Sequence, residues 1–413
     1  MKILYLAHRI PYPPNKGDKI RSFNEIRYLS GSHEIDLACL VDDPADMQYE
    51  GDLKRYCNKV FLWPLNKTHA KLRAVAWALI GKSLSVGYFY CPSVRRTVDK
   101  WLSGAHYDCV LCFSSPMAEY VFRSRPAGGT RLIMDFCDVD SDKWDQYARR
   151  SSFPQSLVYA REKRRLAGYE RVVAESFHHS VFVSEKEAAI FKSNNPGVNN
   201  ISVIPNGVDH DYFNPDFTCP IGNGSSAGPD SESSRDRSPV LVFTGAMDYY
   251  PNEDGVRWFC GEILPRIRKK VPDVRFLIVG RNPTKNILDL QDGLSVRVTG
   301  YVEDIRPYYG EADVCVVPLR IARGIQNKVL EAMAMGKAVV ATPNAAQGIE
   351  AMPEEHFLLS DREDLFAENI AALLGDADHR KKLGARARDY VSANYRWPVK
   401  MSLFDKLIVG PQG

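Results

Sequence analysis

Short apolar, β-rich runs alternate with helical patterns along this chain, and the whole alternation occurs twice. In the first half the runs are Ile3 to Ala7, Ile35 to Val41, Val60 to Trp63, Val110 to Phe113, Leu132 to Phe136 and Val181 to Val183. In the second they are Val240 to Thr244, Val274 to Val279, Val296 to Thr299, Val314 to Val317 and Ala338 to Ala341. A strand apolar along its whole length has both faces covered, and helices between such strands supply the crossovers that a parallel sheet requires. The pattern predicts an α/β protein of two Rossmann-like, doubly wound parallel-sheet domains facing each other across a cleft. Ligands of such sheets sit beyond the strands' C-terminal ends.

A chain of 413 residues, 45% of them hydrophobic, can fill two cores. The first domain is expected over residues 1–180 and the second over 181–394, with 395–413 as a helix, opened by Pro398, that packs back across the junction. Residues 217–238, rich in Gly, Ser and Asp, read as a low-complexity insertion on the second domain's rim.

The net charge of +3 gives no basis for a nucleic-acid partner. The nine cysteines lack framework spacing, which suits a reducing compartment. Cys109 and Cys112 have a metal-like spacing but fall within one strand, where residues three apart face opposite ways. The apolar start at Ile3 is too short for a signal peptide, and Leu72 to Ile80 is too short to span a bilayer. The expected location is cytoplasmic, either soluble or peripheral on the inner membrane. Lys67, Lys71, Arg73 and Lys82 flank the Leu72 to Ile80 segment, and Arg161, Lys163, Arg164 and Arg165 form a second basic run; both suit anionic lipid or a solvated helix face.

Gly324 to Gly336 reads as a helix whose entrance suits an anion. Helix N-termini present unpaired N–H groups and partial positive charge, and Lys328 adds a cation in the first turn. Glu331 follows one turn later on the same side. A cation and a carboxylate so placed suit a diphosphate and a ribose.

Val203-Ile204-Pro205-Asn206-Gly207-Val208-Asp209, Phe243-Thr244-Gly245, Leu277-Ile278-Val279-Gly280, Gly300-Tyr301-Val302, Ala312-Asp313-Val314 and Leu330-Glu331-Ala332-Met333-Ala334-Met335-Gly336 occur in an order and spacing that carry a resemblance. The chain resembles the retaining glycosyltransferases of family 4, with the GT-B fold. His8 to Arg21 and Ile321 to Lys328 look more narrowly like the sugar transferases associated with exosortase (PEP-CTERM) systems. The resemblance implies transfer from a nucleotide diphosphate sugar, held by the C-terminal domain, to a glycan or lipid-linked acceptor in exopolysaccharide or envelope glycan assembly. It implies no metal and no other cofactor.

By that resemblance Glu331 accepts the ribose hydroxyls and Lys328 contacts the diphosphate. The family's first glutamate would stand at position 323, where this chain has Arg323. Arg323 and Arg320 would add charge at the diphosphate, with backbone groups of Gly324, Ile325, Gln326 and Asn327 around the donor. Gly245 would let backbone approach the phosphates, Arg281 would replace a missing cation after that glycine, and Tyr301 and Val302 would meet the base. On the acceptor side stand His8, Lys16, Gly17 and Arg21, with Asp138 as a base or orienting group. Structural readings stand beside each of these: turns and caps for Asp138, a solvated helix entrance for Lys16 and Arg21, an ion pair with Lys328 for Glu331. Two other functions remain open, a non-hydrolysing sugar-nucleotide epimerase and a catalytically silent partner in a polysaccharide assembly complex.

Overall fold

The computed structural model describes residues 1–217, 237–322 and 324–409. Two compact units emerge, Met1–Asn206 with Trp397–Gly413, and Gly207–Arg396.

The first unit holds a seven-stranded sheet of β1 (Lys2–Ala7), β2 (Glu34–Val41), β3 (Lys59–Pro64), β4 (Cys109–Phe113), β5 (Arg131–Cys137), β6 (His179–Phe182) and β7 (Ile201–Val203), in the order β3-β2-β1-β4-β5-β6-β7. Every pairing is parallel. In β1, Leu4 and Leu6 enter one core cluster while Ile3, Tyr5 and Ala7 enter the other, so both faces are dry. Helices α1 (Gly17–Leu29), α2 (Lys67–Leu79) and α3 (Gln155–Ser176) belong to the covering layers.

The second unit holds a six-stranded sheet of β8 (Val240–Thr244), β9 (Arg275–Val279), β10 (Val296–Gly300), β11 (Val314–Val317), β12 (Ala338–Ala341) and β13 (Leu358–Leu359). Its order is β10-β9-β8-β11-β12-β13, also parallel throughout. Three of its helices matter below: α4 (Tyr250–Trp258), α5 (Arg306–Glu311) and α6 (Asn327–Ala334). The strand order reverses between β8 and β11, which opens a crevice at their C-terminal ends.

The boundary differs from the expected 180/181. Val181 pairs with Asp135, and Ile201 pairs with Ser180, so β6 and β7 extend the first sheet. An apolar run carries no local mark of the sheet it will join. The last helix runs Trp397–Val409, and its Trp397, Met401, Phe404 and Ile408 pack into the first unit's core. Tyr28 donates to Asp405 at 2.6 Å, which ties this helix to α1. Cys109 and Cys112 are buried in β4, as strand geometry requires. Of the expected insertion, residues 218–236 lie outside the described residues. No helix among the described residues is long and apolar enough to cross a membrane.

Candidate functional site

The second unit gathers its candidate residues at the β8/β11 crevice. After Thr244 the chain turns at Gly245, where a Cβ would lie 2.7 Å from Asn252 Nδ2 and 2.9 Å from Lys328 Nζ. Gly280, at the end of β9, is closer still: its Cβ would fall 1.7 Å from the Gly245 carbonyl oxygen. Two strand ends therefore meet backbone to backbone, and only glycine permits the approach.

Lys328 fills the space this leaves. Its Nζ donates to Asn252 Oδ1 at 2.7 Å and sits 4.3 Å from the centre of the Phe243 ring. Asn252 is held by donating its Nδ2 to the Ala246 carbonyl at 2.8 Å. Burial pulls the Lys328 ammonium down to about 7, and the neighbouring Glu331 charge only partly offsets it. Among the described residues the side chain makes no direct ion pair, so the Glu331 carboxylate acts on it only at longer range.

Glu331, one turn on, accepts the Tyr309 hydroxyl at 3.0 Å. That hydroxyl also meets Thr244 Oγ1 at 2.9 Å, linking α5, β8 and α6 through one buried chain of hydrogen bonds. Burial raises the Glu331 carboxyl above its ordinary value, against the Tyr309 hydrogen bond and the Lys328 charge. Neither Tyr309 nor Asn252 was singled out by the sequence. Tyr309 lies between the motifs, and Asn252 is a neutral side chain with no local pattern to mark it.

The helix is shorter than the expected Gly324 to Gly336. Gly324 has φ 58 and Gln326 has ψ 100, so the turn before Asn327 is irregular and the helix starts there. Ile325 is buried, and the Gln326 carbonyl accepts the Val329 N–H at 2.9 Å. At the far end Gly336, with φ 64, closes the helix. Arg323 lies outside the described residues.

Arg320 departs from its expected place at the diphosphate. It forms a two-pronged pair with Asp254 of α4, at 3.0 and 2.5 Å, because the β11 exit directs it to that helix. Arg281 follows Gly280; its carbonyl accepts Met247 N–H at 2.9 Å, and its side chain has no described partner. Val302 is half-buried against the core, whereas Tyr301 is 74% exposed.

In the first unit the acceptor-side candidates are largely neutralised. His8, past β1, stacks on Phe113 at 5.9 Å and meets Phe89 edge-on at 5.2 Å. Its Nε2 lies 3.5 Å from Asp18, which also receives Arg9 at 2.6 Å. Despite burial, His8 and Arg9 hold Asp18 far below the ordinary carboxylate range. Lys16 lies 3.9 Å from Asp42. Gly17 starts α1 with open space around a notional Cβ, so no backbone constraint demands glycine there.

Arg21 is not available to an acceptor. It is 1% exposed, pairs with Asp135 at 2.7 Å and Glu25 at 3.0 Å, and donates to Ile204 O at 2.8 Å and Asn206 at 3.0 Å. Burial, with the adjacent Asp135 carboxylate, pushes Glu25 well above its ordinary value. Arg21 thus stitches α1, β5 and the chain beyond β7 together. Asp138 pairs with Lys143 at 3.1 Å; the same ammonium holds Asp140 at 2.9 Å. Beside them, burial pushes Glu187 up to about 7 and Glu170 up to about 8, and each accepts a backbone N–H at the entrance of the helix Asp140–Arg150, from Val139 and Ser141 respectively. Among the described residues no three His, Cys, Asp or Glu side chains are grouped to hold a metal.

Residues 238–376 match the family model described as "Glycosyl transferases group 1". HepE of Anabaena, crystallised with UDP and glucose, superposes with a TM-score of 0.68 at 14% identity, covering 99% of each chain. The fold is the GT-B fold of glycosyltransferases. A Klebsiella pneumoniae protein described as an uncharacterized 44.6 kDa protein in the cps region is 21% identical over 95% of this chain and 96% of its own length. A GDP-mannose-dependent α-(1-6)-phosphatidylinositol monomannoside mannosyltransferase of Mycobacterium tuberculosis is 26% identical over 58% of this chain and 70% of its own. Fold and family match together support a glycosyltransferase of GT-B type.

Proposed function

We propose that the chain is a retaining glycosyltransferase that moves a sugar from a nucleotide diphosphate sugar to a glycan or lipid-linked acceptor in exopolysaccharide or envelope glycan assembly. The observation that carries the reading is the Lys328 cation, held by Asn252 over paired glycine strand ends beside the Tyr309-ordered Glu331. A diphosphate at Gly245 meets Lys328, whose charge stabilises the leaving group as the donor bond breaks. Glu331, aligned by Tyr309, accepts hydrogen bonds from the ribose hydroxyls.

HepE structures bear UDP, UDP with glucose, or UDP-glucose, and the mycobacterial relative uses GDP-mannose; both support a nucleotide-sugar donor. The cps-region relative supports a role in surface polysaccharide. Membership of family 4, and of its exosortase-associated subgroup, is part of the same proposal, as is catalysis without metal. Arg281 and Arg323 complete the diphosphate charge in this reading, Gly324 to Asn327 and Val302 lend backbone to the donor, and His8, Lys16, Gly17 and Asp138 face the acceptor.

A donor screen with UDP- and GDP-sugars, reporting released nucleoside diphosphate with and without chelator, tests it. Release that survives chelation supports the reading; none with any donor and a lipid-linked acceptor would sink it. An epimerised donor, formed with no acceptor present, identifies an epimerase instead.

A further inference from the structure

Helix α2 is amphipathic the wrong way round for a helix packed on a core. Its buried residues are the small Ala70 and Ala74, while Leu72, Val75 and Leu79, with Ile80 just past its end, are 65, 54, 83 and 68% exposed. Leu72, Val75 and Leu79 lie three and four apart, and with Ile80 just beyond them they form one continuous apolar stripe facing away from the protein. Exposed apolar residues are ordinary singly, but such a stripe calls for a covering surface.

The charges beside the stripe indicate what covers it. Lys67 and Lys71 are exposed at its start. At its end Arg161 of α3 donates to the carbonyls of Ala78 and Lys82, which fixes α3 against the helix terminus. Between the two helices lies a cavity of about 620 Å³ whose lining includes Trp77, Lys82, Glu119, Arg164, Arg165 and Tyr169. Glu119 is spent on Arg123 at 2.6 Å. The Lys82 ammonium has only the Trp77 ring, 4.8 Å away, and neither Arg164 nor Arg165 has a hydrogen bond or ion pair with a described residue. The Tyr169 hydroxyl is buried without a hydrogen-bond partner there. Three cations and an unsatisfied hydroxyl thus line one cavity whose single carboxylate is already paired elsewhere.

We propose that this face of the first unit docks on an anionic phospholipid bilayer, with the α2 stripe in the acyl boundary and a headgroup phosphate in the cavity at Lys82, Arg164 and Arg165. A free phosphate would leave the apolar stripe uncovered, and a purely apolar partner would leave the cations unpaired; the bilayer satisfies both. The docking rests on this surface alone and is independent of the chemistry proposed for the second unit.

The test is co-sedimentation of the full chain with phosphatidylcholine vesicles, with and without phosphatidylglycerol. Binding is expected only with phosphatidylglycerol, and it should weaken in high salt. Arg164→Ala/Arg165→Ala should weaken it about 25-fold, near fivefold per cation. Leu79→Ser/Ile80→Ser should weaken it as well. Both pairs are exposed, so the melting temperature and nucleotide-sugar affinity should stay at wild-type values, which separates this failure from that of the donor site. Three outcomes overturn the proposal: no binding to anionic vesicles, equal binding by the variants, or a dimer that Leu79→Ser dissolves without any lipid binding.

Discussion

Lys328 makes donor affinity depend on pH near neutrality. With its ammonium pulled down to about 7, about half of the side chains are charged at pH 7, about nine-tenths at pH 6 and about a tenth at pH 8. A diphosphate needs the charged form, and a site competent only in a fraction of molecules binds more weakly by that fraction. The apparent Kd should therefore rise about tenfold from pH 6 to pH 8, and binding at pH 8 should take up close to one proton, about 0.9 per site. Isothermal titration in two buffers of different ionisation enthalpy measures that proton directly. The intact nucleotide sugar is the right ligand, because its diphosphate, unlike a terminal phosphate, does not titrate there. Lys328→Met should bind weakly, with a flat pH profile. The apo protein gives the complementary sign: the unfolded chain holds this proton up to the ordinary 10.5, so stability should rise with pH above about 7. Each tenfold loss of proton affinity on folding would contribute at most about 1.4 kcal/mol, and water reaching this half-buried side chain reduces the total gain to about 2 kcal/mol. A wild-type affinity unchanged from pH 6 to 8, with no proton uptake, would refute the reasoning.

Four other substitutions separate the site from its scaffold. Gly245→Ala places a methyl carbon 2.9 Å from Lys328 Nζ, so donor affinity should fall with a fold intact by circular dichroism; an unchanged Kd would remove Gly245 from the site. Tyr309→Phe deprives the Glu331 carboxylate of its donor, which should cost about 1–3 kcal/mol of stability and weaken donor binding; thermal melts and titration check both. Arg320→Ala breaks a pair with a half-exposed arginine worth about 0.5–1 kcal/mol, leaving donor affinity unchanged; a loss of binding would return Arg320 to the site. Arg21→Met leaves the Asp135 carboxylate buried without its cation and should cost about 3–5 kcal/mol in urea unfolding, whereas a change below about 1 kcal/mol would contradict a structural role.

The sheets were legible because a strand buried on both faces shows an apolar run whatever its partners, as Leu4 and Tyr5 do on opposite faces of β1. Allegiance was not legible: Val181 to Val183 fit either sheet, and only pairing with Asp135 and its neighbours decides. The same holds for side chains. Lys328 and Glu331 share one helix turn, so their spacing shows in the sequence. Arg21 reads as a cation at a helix entrance because Asp135 and Ile204, which enclose it, are distant in sequence. Tyr309 and Asn252 act through contacts with α6 that no local pattern records.

Titration of the full chain with a panel of UDP- and GDP-sugars, wild type against Glu331→Ala, tests the donor site most directly. The account predicts saturable one-site binding of at least one nucleotide sugar that Glu331→Ala abolishes. Absence of binding across the panel, or an affinity the substitution leaves unchanged, would contradict it.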